Sequence, residues 1–244
     1  MAKVRLDAIV QTQAGVSRSK AQGLIRTGQV SAEDGTTLDK PGQQLEEGTP
    51  VIIAEGPRYV SRGGLKLEAA FEEFDIDCEG KIAIDVGAST GGFTDCLLQH
   101  GAAKVYAVDV GYGQLDWQLR EDSRVIVLER SNIRFLKSDR LDDAPSFFTA
   151  DCSFISLRLV LPSVKALVTP DAEGIVLIKP QFEAGKEQVG KGGVVRDEAV
   201  HQEVIDAFKG HAEGIGLNVR GVIPSPLVGP AGNREFLAHL QVQC

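Results

Sequence analysis

The chain has 244 residues, of which 43% are hydrophobic, and its formal net charge is −8. This length allows one full α/β core and a further module of roughly 60 residues, so two domains are expected. No run of about 18 apolar residues could cross a bilayer, and the first residues lack the apolar stretch of a secretory signal. We therefore expect a soluble, cytoplasmic protein with no membrane partner. The four cysteines are scattered without a C-x-x-C pair, which fits reduced thiols rather than a zinc site or a disulfide framework, and no metal is expected.

The negative net charge disfavours a nucleic-acid partner, but the charge is unevenly distributed. Between Asp7 and Glu33 every charged residue is basic, and the same holds between Glu55 and Glu68. These two positive islands are compatible with binding a polyanion, although ordinary solvated basic residues would explain either island alone equally well. Their members are Arg18, Lys20 and Arg26 in the first island and Arg58, Arg62 and Lys66 in the second.

The first 57 residues alternate short apolar segments with turn signals. Helices are predicted at 5–11 and 17–26, followed by short strands between glycine and proline turns. Ser17 is a suitable N-cap for the second helix, whose first turns then carry Arg18 and Lys20. Cations are unfavourable at the positive end of a helix dipole unless an anion such as a phosphate binds there.

The pattern S-R-x-x-A-x-x-L-I-x-x-G-x-V at residues 17–30, followed by the apolar triplet at 51–53, resembles the S4 RNA-binding fold. That fold occurs in a ribosomal protein, in pseudouridine synthases and in tyrosyl-tRNA synthetases. The resemblance implies that residues 1–57 form a small α+β RNA-binding domain in which Arg18, Lys20 and Arg26 contact phosphates. Because such modules are attached to many enzymes, it indicates a class of partner and no chemistry.

Residues 58–80 are interpreted as a linker and a first helix at 64–74, and residues 81–244 as a catalytic domain. In the latter, apolar β-branched runs alternate with helical segments, which predicts a doubly wound, mostly parallel sheet. The strands are predicted at 82–86, 105–108, 125–128, 147–150 and 175–178, and the helices near 92–100, 114–120, 157–167 and 197–214. Two last strands, 219–223 and 235–242, are predicted to form a terminal antiparallel hairpin, giving the seven-stranded Rossmann-like sheet expected of a methyltransferase.

The first of these strands runs into the glycine-rich turn Gly87-Ala-Ser-Thr-Gly-Gly-Phe and then, we predict, a helix at 96–100. Such a turn brings backbone N–H groups close to a dinucleotide or to S-adenosylmethionine. Ser89, where the dinucleotide fingerprint requires glycine, and Asp85 upstream favour S-adenosylmethionine. Asp109 ends the next strand, where an acid accepts hydrogen bonds from ribose hydroxyls. A purely structural turn is the alternative. The predicted cofactor-binding residues are Asp85, Gly87, Ala88, Ser89, Gly91, Gly92, Phe93, Asp109, Ser131 and Asn132.

Four ionisable residues follow or flank buried elements: Lys66, Asp151, Lys179 and Glu235. Taken singly, each is more often a boundary residue than a catalyst. A ribose 2′-hydroxyl is a poor nucleophile, so its methylation requires a positioned base, and a lysine can act as one when its neighbours and burial favour the neutral amine. Groups at the carboxyl ends of parallel strands are placed for that task.

The order of these four residues is similar to the K-D-K-E tetrad of the FtsJ-type ribose 2′-O-methyltransferases. The stretches SRGGLKL, DVGASTGGFTDCLL, DCSFISL, LIKPQFE and GNREF, preceded by an S4-like module, resemble the TlyA family of bacterial rRNA methyltransferases, also named hemolysins. The resemblance implies that Lys179 is the general base, that Asp151 and Glu235 orient the lysines, and that Lys66 holds the substrate. The implied substrate is a cytidine of ribosomal RNA. The short chain resembles family members that modify only the large subunit.

Further residues are candidates for contact with RNA. Phe154 and Phe182 flank the predicted site and would stack on the target base, unless they pack in the core. The glycine-rich loop at 186–193 is predicted to close over RNA. Basic residues predicted to extend the phosphate track are Arg58, Arg62, Lys186, Lys191 and Arg196.

Three alternatives stay open at this point. The first is an RNA base methyltransferase. The Asn/Asp-Pro-Pro-aromatic motif that is usual in amino-methyltransferases is missing after the fourth strand, but Cys152 is placed where methylation at carbon 5 of a pyrimidine would need a nucleophile. A nicotinamide-dependent oxidoreductase with an RNA-binding appendage is disfavoured by Ser89 and by the hairpin. A non-catalytic RNA- or ribosome-binding protein, or a pore former, would leave the four ionisable residues unexplained.

Overall fold

The computed structural model describes residues 3–54 and 56–243. Met1, Ala2, Glu55 and Cys244 lie outside it, so the fourth predicted thiol is not among the described residues. The chain divides into two compact units, Met1–Arg58 and Tyr59–Cys244. Among the described residues, no helix is long and apolar enough to cross a membrane.

Two helices form the body of the first unit. The first, α1 (Leu6–Ala14), extends three residues beyond its predicted end and stops at Gly15, whose φ of 64° is left-handed. The second, α2 (Arg18–Arg26), begins after Ser17, whose hydroxyl accepts a hydrogen bond from the Lys20 N–H at 3.3 Å. This is the N-cap that the sequence predicts. The helices share an apolar core of Leu6, Val10, Ala21 and Ile25, spaced for one face of each helix.

Four short strands complete this unit as two antiparallel pairs. The first pair joins β1 to β3, and the second joins β2 to β4. Val30 and Val51 from the second pair are buried in the core formed by the helices. The strands are β1 (Lys3–Arg5), β2 (Val30–Ala32), β3 (Gln44–Glu46) and β4 (Val51–Ile53).

The second unit is built on a seven-stranded sheet of order β10-β11-β9-β8-β5-β6-β7. Five neighbouring strands are parallel, and β11 runs antiparallel to both of its neighbours. The predicted fold class, a doubly wound sheet with a terminal antiparallel pair, is confirmed. The strands are β5 (Ile82–Val86), β6 (Lys104–Val108), β7 (Val125–Leu128), β8 (Phe147–Ala150), β9 (Glu173–Ile178), β10 (Leu217–Pro224) and β11 (Phe236–Val242).

Helices cover both faces of this sheet because alternate residues of each strand point to opposite sides. On one face, Ala83 and Val105 pack with Leu67 and Leu97 from two helices. On the other face, the neighbouring residue Ile84 belongs to the second apolar cluster of the sheet. The helices are α3 (Gly63–Phe74), α4 (Gly92–Gln99), α5 (Trp117–Glu121), α6 (Leu157–Lys165), α7 (Pro180–Glu183) and α8 (Glu198–Gly214).

The helix after the glycine-rich turn begins at Gly92, as the predicted range 92–100 has it and not at Cys96, so the end of the turn already belongs to α4. One helix start differs from the prediction. The α5 helix begins at Trp117 rather than near 114, because the Asp116 carboxylate accepts a hydrogen bond from the Gln118 N–H at 2.8 Å and caps it.

The parallel strands place their carboxyl ends along one edge of the sheet. The turn after β5, Asp109 after β6, Asp151 after β8 and Lys179 after β9 therefore lie at a common edge. The functional site is found there.

Candidate active site

Two cavities lie at the carboxyl edge of the sheet. One of about 310 Å³, here the catalytic cavity, is lined by all four ionisable residues singled out in the sequence. The other, here the cofactor cavity, measures about 370 Å³ and lies over the ends of β5, β6 and β8. Both volumes fall in the usual range for small-molecule sites, about 300–1,000 Å³. The two cavities share Gly87, Ser89, Asp151 and Ser153, so they adjoin at the end of β5 and β8.

Two lysine–carboxylate pairs line the catalytic cavity. The Lys179 Nζ lies 2.5 Å from the Asp151 Oδ1, and the Lys66 Nζ lies 2.6 Å from the Glu235 Oε2. Lys179 also donates a hydrogen bond to the Ser153 Oγ at 3.0 Å. Lys66, Lys179 and Glu235 are all more than nine-tenths buried, so each charge depends on its partner rather than on bulk water.

The backbone fixes each member of these pairs. Asp151 follows β8, and its N–H donates to the Val86 carbonyl at 3.0 Å, which holds it against the end of β5. Lys179 precedes Pro180, the first residue of α7, and thus ends the strand. Lys66 lies in α3, and Glu235 immediately precedes β11. Four separate segments of the chain therefore supply the pair formed by Lys179 and Asp151 and the pair formed by Lys66 and Glu235.

The cofactor cavity has the donors and acceptors that an adenosyl ligand requires. The Asp109 carboxylate accepts hydrogen bonds from the N–H groups of Gly111 at 2.6 Å and Ser89 at 2.8 Å, which orient it toward the cavity that it lines. Each of its oxygens keeps a lone pair for a ribose hydroxyl. Ser131 and Asn132 line the same cavity.

At Gly87, where the two cavities adjoin, the turn after β5 passes very close to the backbone that follows β8. Its φ is 83°, and an added Cβ would lie 2.6 Å from the Asp151 carbonyl oxygen. Only glycine fits this position without moving the end of β8. The residues present therefore suit S-adenosylmethionine.

Two of the predicted cofactor-binding residues lie away from both cavities, which corrects the expectation of direct contact. Asp85 is fully buried within β5, where its carboxylate accepts hydrogen bonds from the hydroxyls of Thr94 at 2.7 Å and Thr149 at 2.8 Å. Burial raises the pKa of Asp85 to about 6. Asp85 is therefore buried beneath the turn and lines neither cavity.

Gly91 has a packing role. Its N–H donates to the Ala88 carbonyl at 2.7 Å, and an added Cβ would lie 2.2 Å from a methyl group of Leu119 in α5. Its φ of 97° favours glycine as well. The turn therefore needs glycine here for its own geometry.

Three further predicted cofactor residues, Ala88, Gly92 and Phe93, line the catalytic cavity rather than the cofactor cavity. An added Cβ on Gly92 would lie 2.3 Å from the Ser61 hydroxyl, so α4 packs closely against the segment that precedes α3. The Val60 N–H donates to the Asp95 carboxylate at 2.8 Å and ties the same two segments together.

Several lining residues carry no signal in the sequence. Ser61, Thr90 and Ser153 line the catalytic cavity, and Gln114 lines the cofactor cavity. One wall comes from the loop between β10 and β11, which contributes Leu227, Val228 and Pro230. The proline-rich composition of that loop marks it as a connection, but not as part of a site.

The aromatic pair predicted beside the site is present. The ring centroids of Phe154 and Phe182 lie 5.2 Å apart in a tilted arrangement. Phe154 is 91% exposed and has a left-handed φ of 64°. It lines the cofactor cavity close to Asp151. Core packing is therefore excluded for Phe154.

The predicted RNA-binding cations are exposed, with one qualification for Arg18. Its Nε lies 3.3 Å from the fully buried Asp7 carboxylate, which also binds Arg5 and accepts a hydrogen bond from Gln22. The side chain of Arg18 is still 55% exposed. Arg62 lines the catalytic cavity. The other exposed cations are Lys20, Arg26, Arg58, Lys186, Lys191 and Arg196.

Asn233 holds the glycine-rich loop against the start of β11. Its side-chain oxygen accepts a hydrogen bond from the Val195 N–H at 3.0 Å, and its amide group donates to the Gly193 carbonyl at 2.9 Å. Asn233 is buried and lies two residues from Glu235. The loop that carries Lys191 is therefore tied to the strand that positions Glu235.

Cys152 is poorly suited to nucleophilic chemistry. Burial raises the pKa of its thiol to about 12, and the Sγ lies 3.7 Å from the Val86 carbonyl, to which it donates. Across residues 3–54 and 56–243, no group of three or more His, Cys, Asp or Glu side chains is arranged to hold a metal ion.

Comparison with known proteins agrees with this geometry. The profile of the FtsJ-like methyltransferase family matches residues 59–242. A Bacillus subtilis protein assigned as an rRNA methyltransferase, YqxC, is 48% identical over 98% of this chain and 85% of its own length. The 16S/23S rRNA (cytidine-2′-O)-methyltransferase TlyA of Mycobacterium tuberculosis is 44% identical over 99% of this chain and 91% of its own.

A solved structure of a Streptococcus thermophilus protein assigned as a hemolysin covers 100% of this chain and 90% of its own, with 44% identity and a TM-score of 0.76. Both units of the chain are thus represented among its relatives. The two adjoining cavities, the paired lysines and carboxylates and these similarities together show that the chain belongs to the TlyA family of FtsJ-like, S-adenosylmethionine-dependent methyltransferases.

Proposed function

We propose that this enzyme methylates the ribose 2′-hydroxyl of a cytidine in ribosomal RNA. The observation that carries the proposal is the position of the ion pair formed by Lys179 and Asp151, which lines the catalytic cavity where that cavity meets the cofactor cavity. Support for the nucleotide comes from the Mycobacterium tuberculosis relative, which is a cytidine-2′-O-methyltransferase.

S-adenosylmethionine, when bound, supplies a methyl group activated by its sulfonium. Lys179 in its neutral form takes the proton of the attacking 2′-hydroxyl, and the Asp151 carboxylate at 2.5 Å stabilises the ammonium that results. Ser153 accepts a hydrogen bond from Lys179 and fixes the direction of its Nζ. A base positioned in this way typically contributes about 10²- to 10⁴-fold to a rate.

The second pair has a positioning role in this proposal. Glu235 holds the Lys66 ammonium in the catalytic cavity, opposite the base, where it can bind an oxygen of the target ribose or its phosphate. An added Cβ on Gly229 would lie 2.7 Å from the Glu235 Oε1, so the loop between β10 and β11 packs directly against this carboxylate.

Phe154 is placed to receive the target base. An exposed aromatic ring in strained backbone geometry, packed on one side against Phe182, offers its free face for stacking. Stacking on this ring would hold the nucleotide while its ribose enters the catalytic cavity.

The N-terminal unit, residues 1–57, is proposed to be an S4-like RNA-binding domain. Its exposed Arg18 and Lys20 supply phosphate contacts at the first turn of α2, and its exposed Arg26 supplies another at the last turn. In the catalytic unit, Arg62, Lys186, Lys191 and Arg196 extend these contacts. The preference for the large subunit and the closing of loop 186–193 over RNA stay predictions. Since ribosomal RNA is the substrate, we propose that the enzyme acts in the cytoplasm.

Base methylation at carbon 5 is the nearest alternative, and the raised pKa of Cys152 disfavours it because the reaction requires a thiolate. The experiment that separates the two incubates the enzyme with labelled S-adenosylmethionine and with isolated small and large ribosomal subunits. Nuclease digestion and mass spectrometry then assign the methyl group to a ribose or a base. Label on a ribose of one subunit supports the proposal, and label on a base overturns it.

A further inference from the structure

The segment after β7 carries a concentration of positive charge that the proposed site does not use. Residues 130–140 hold four cations and one acid, a local charge of +3 in a chain whose net charge is −8. All four cations are exposed, and none forms an ion pair with another of the described residues. They are Arg130, Arg134, Lys137 and Arg140.

Aromatic rings lie among these cations and are exposed as well. Phe135 is 73% exposed and Tyr112, in the connection after β6, is 69% exposed. The Arg130 guanidinium carbon lies 4.1 Å from the Tyr112 ring centroid, and the Arg134 guanidinium carbon lies 5.3 Å from that of Phe135. We call these two rings and the four cations the basic–aromatic face. Single exposed apolar residues are ordinary, but two rings paired with unneutralised guanidinium groups are typical of a surface that binds a partner.

The backbone holds this face in a defined place. Arg130 has a left-handed φ of 52°, and its N–H donates to the Gly111 carbonyl at 2.9 Å, which brings the two connections together. The Asn132 side chain then accepts from the Arg134 N–H at 3.1 Å and caps a short turn at 133–135. The cations are thus mounted on a folded segment.

The face also adjoins the cofactor cavity. A groove of about 440 Å³ is lined by three of the cations, one of the rings and one acid, namely Arg130, Lys137, Arg140, Phe135 and Asp139. Ser131 and Asn132 line both this groove and the cofactor cavity. A ligand in the groove would therefore lie beside the adenosine end of the cofactor and within reach of the same strand edge that carries Asp151.

We propose that the basic–aromatic face binds a single-stranded segment of the RNA substrate, with the four cations on its phosphates and Phe135 and Tyr112 stacked on its bases. Unpaired cations match a polyanion, and exposed rings match unstacked bases, which occur in single strands rather than in duplexes. This inference rests on the proposed function, because it adds a second contact to the same substrate.

The test measures the affinity of the full chain for a fluorescent 20-nucleotide RNA of mixed sequence at several salt concentrations. Variants are R134E/K137E, which reverses two exposed charges, and F135A, which removes one ring. The control K209E makes the same kind of charge change on α8, away from both cavities and the groove. S-adenosylmethionine affinity and thermal unfolding are measured for each variant.

We expect R134E/K137E to weaken RNA binding at least about 10-fold and to lower the slope of log affinity against log salt by about 1.4, since each lost phosphate contact on a single strand contributes about 0.7. F135A should weaken binding about 5-fold or more with little change in that slope. K209E should bind RNA as the wild type does, and S-adenosylmethionine affinity should stay within about twofold in every variant.

Wild-type RNA affinity and salt slope in R134E/K137E would overturn the inference. The inference would also be overturned if R134E/K137E bound the 20-nucleotide RNA normally but no longer bound intact ribosomal subunits, since that result would assign the basic–aromatic face to a ribosomal protein. The two proposals fail separately. If the wild type binds RNA through this face but transfers no methyl group to either ribosomal subunit, the proposed function is overturned. If it methylates a ribosomal subunit while the variants bind RNA normally, only the inference about the basic–aromatic face is overturned.

Discussion

The β9 strand carries a lysine–carboxylate pair at each of its ends. At the amino end, Glu173 binds Lys81 at 2.6 Å and lies 3.1 Å from the His239 ring nitrogen. At the carboxyl end, Lys179 binds Asp151 at 2.5 Å. The first pair connects β9 with the segment before β5 and with β11, and it lines neither the catalytic nor the cofactor cavity.

The two pairs show that the chemical type of an ion pair does not indicate its role. The side chains of Lys81 and Glu173 are 29% and 23% exposed, and those of Lys179 and Asp151 are 10% and 21% exposed. The difference in burial between the two ion pairs is therefore too small to distinguish their roles. Their roles differ because of the edge of the sheet at which they lie, since only the carboxyl edge opens into the catalytic and cofactor cavities.

Apart from loss of the base itself, the largest effect on methyl transfer is expected from the acid at the carboxyl end. D151N keeps the shape of the side chain but removes the charge that stabilises the Lys179 ammonium. The rate of methyl transfer should fall by about 10²-fold or more, with S-adenosylmethionine affinity within a few-fold of the wild type. Single-turnover methylation measures the rate, and calorimetric titration measures the affinity. A variant that keeps half of the wild-type rate would remove Asp151 from the mechanism.

A second effect concerns Asp85, which lies inside the sheet between the two ends of the strands. Its pKa is raised from an ordinary value of 3.8 to about 6, so the folded state binds a proton more tightly than the unfolded state does. The free energy of unfolding therefore falls as pH rises between about 4 and 6. D85N has no carboxyl group to titrate at this position, so its free energy of unfolding should not show this fall.

Between pH 5 and pH 7.5, D85N should gain stability relative to the wild type by about 1 to 2 kcal/mol, the order of magnitude that corresponds to one pKa unit. Urea denaturation at the two pH values measures the difference. If the free energies of unfolding of D85N and the wild type differed by the same amount at both pH values, the raised pKa of Asp85 would be contradicted. T94S, which keeps the hydroxyl that binds Asp85, is the matched control and should leave the pH dependence unchanged.

A smaller effect is expected at the amino end of β9. The hydrogen bond with His239, together with Lys81, lowers the pKa of Glu173 to about 2. Its carboxylate therefore stabilises the fold above pH 4.5, and this contribution is lost as pH falls from 4.5 toward 2. Because the pair is partly exposed, E173Q should cost no more than about 1 kcal/mol at pH 7.

Urea denaturation of E173Q from pH 3 to pH 7 tests this contribution. The stability difference from the wild type should shrink as the pH falls. Methyl transfer at 25 °C should stay within about twofold of the wild-type rate. A large loss of activity without unfolding would mean that the amino end also serves the reaction.

The smallest effect is expected at Cys152, although it is adjacent to Asp151. C152A should methylate RNA within about twofold of the wild-type rate, because a buried thiol with a pKa of about 12 supplies no thiolate at neutral pH. Initial rates with ribosomal subunits measure it. An inactive but folded C152A enzyme that binds S-adenosylmethionine would restore the carbon-5 alternative.

The sequence predicted the sheet well because strand signals are local. The apolar β-branched runs at Val125–Leu128 and Phe147–Ala150 have the bounds of β7 and β8. The convergence of Asp151 and Lys179 was also predictable, since parallel strands bring residues at their carboxyl ends to one edge.

Side chains that depend on contacts between distant loops were not predictable. The Ser153 hydroxyl on Lys179 joins positions 26 residues apart, and the bonds of Asn233 to Gly193 and Val195 span 40 and 38 residues. No periodicity encodes such contacts. Asp85 differs from the prediction in another way. As a motif residue just before the glycine-rich turn it was expected to contact the cofactor, but its side chain is buried beneath that turn.

The most direct test compares, in one assay, the lysines of the two ion pairs at the ends of β9. Single-turnover 2′-O-methylation of the ribosomal subunit that the wild type modifies is measured for K179M and K81M at saturating S-adenosylmethionine. K179M should lose about 10³-fold in rate while its unfolding temperature and S-adenosylmethionine affinity stay close to those of the wild type. K81M should keep the rate within about twofold and unfold a few degrees lower. A K179M enzyme with more than a tenth of the wild-type rate would contradict the assignment of Lys179 as the base.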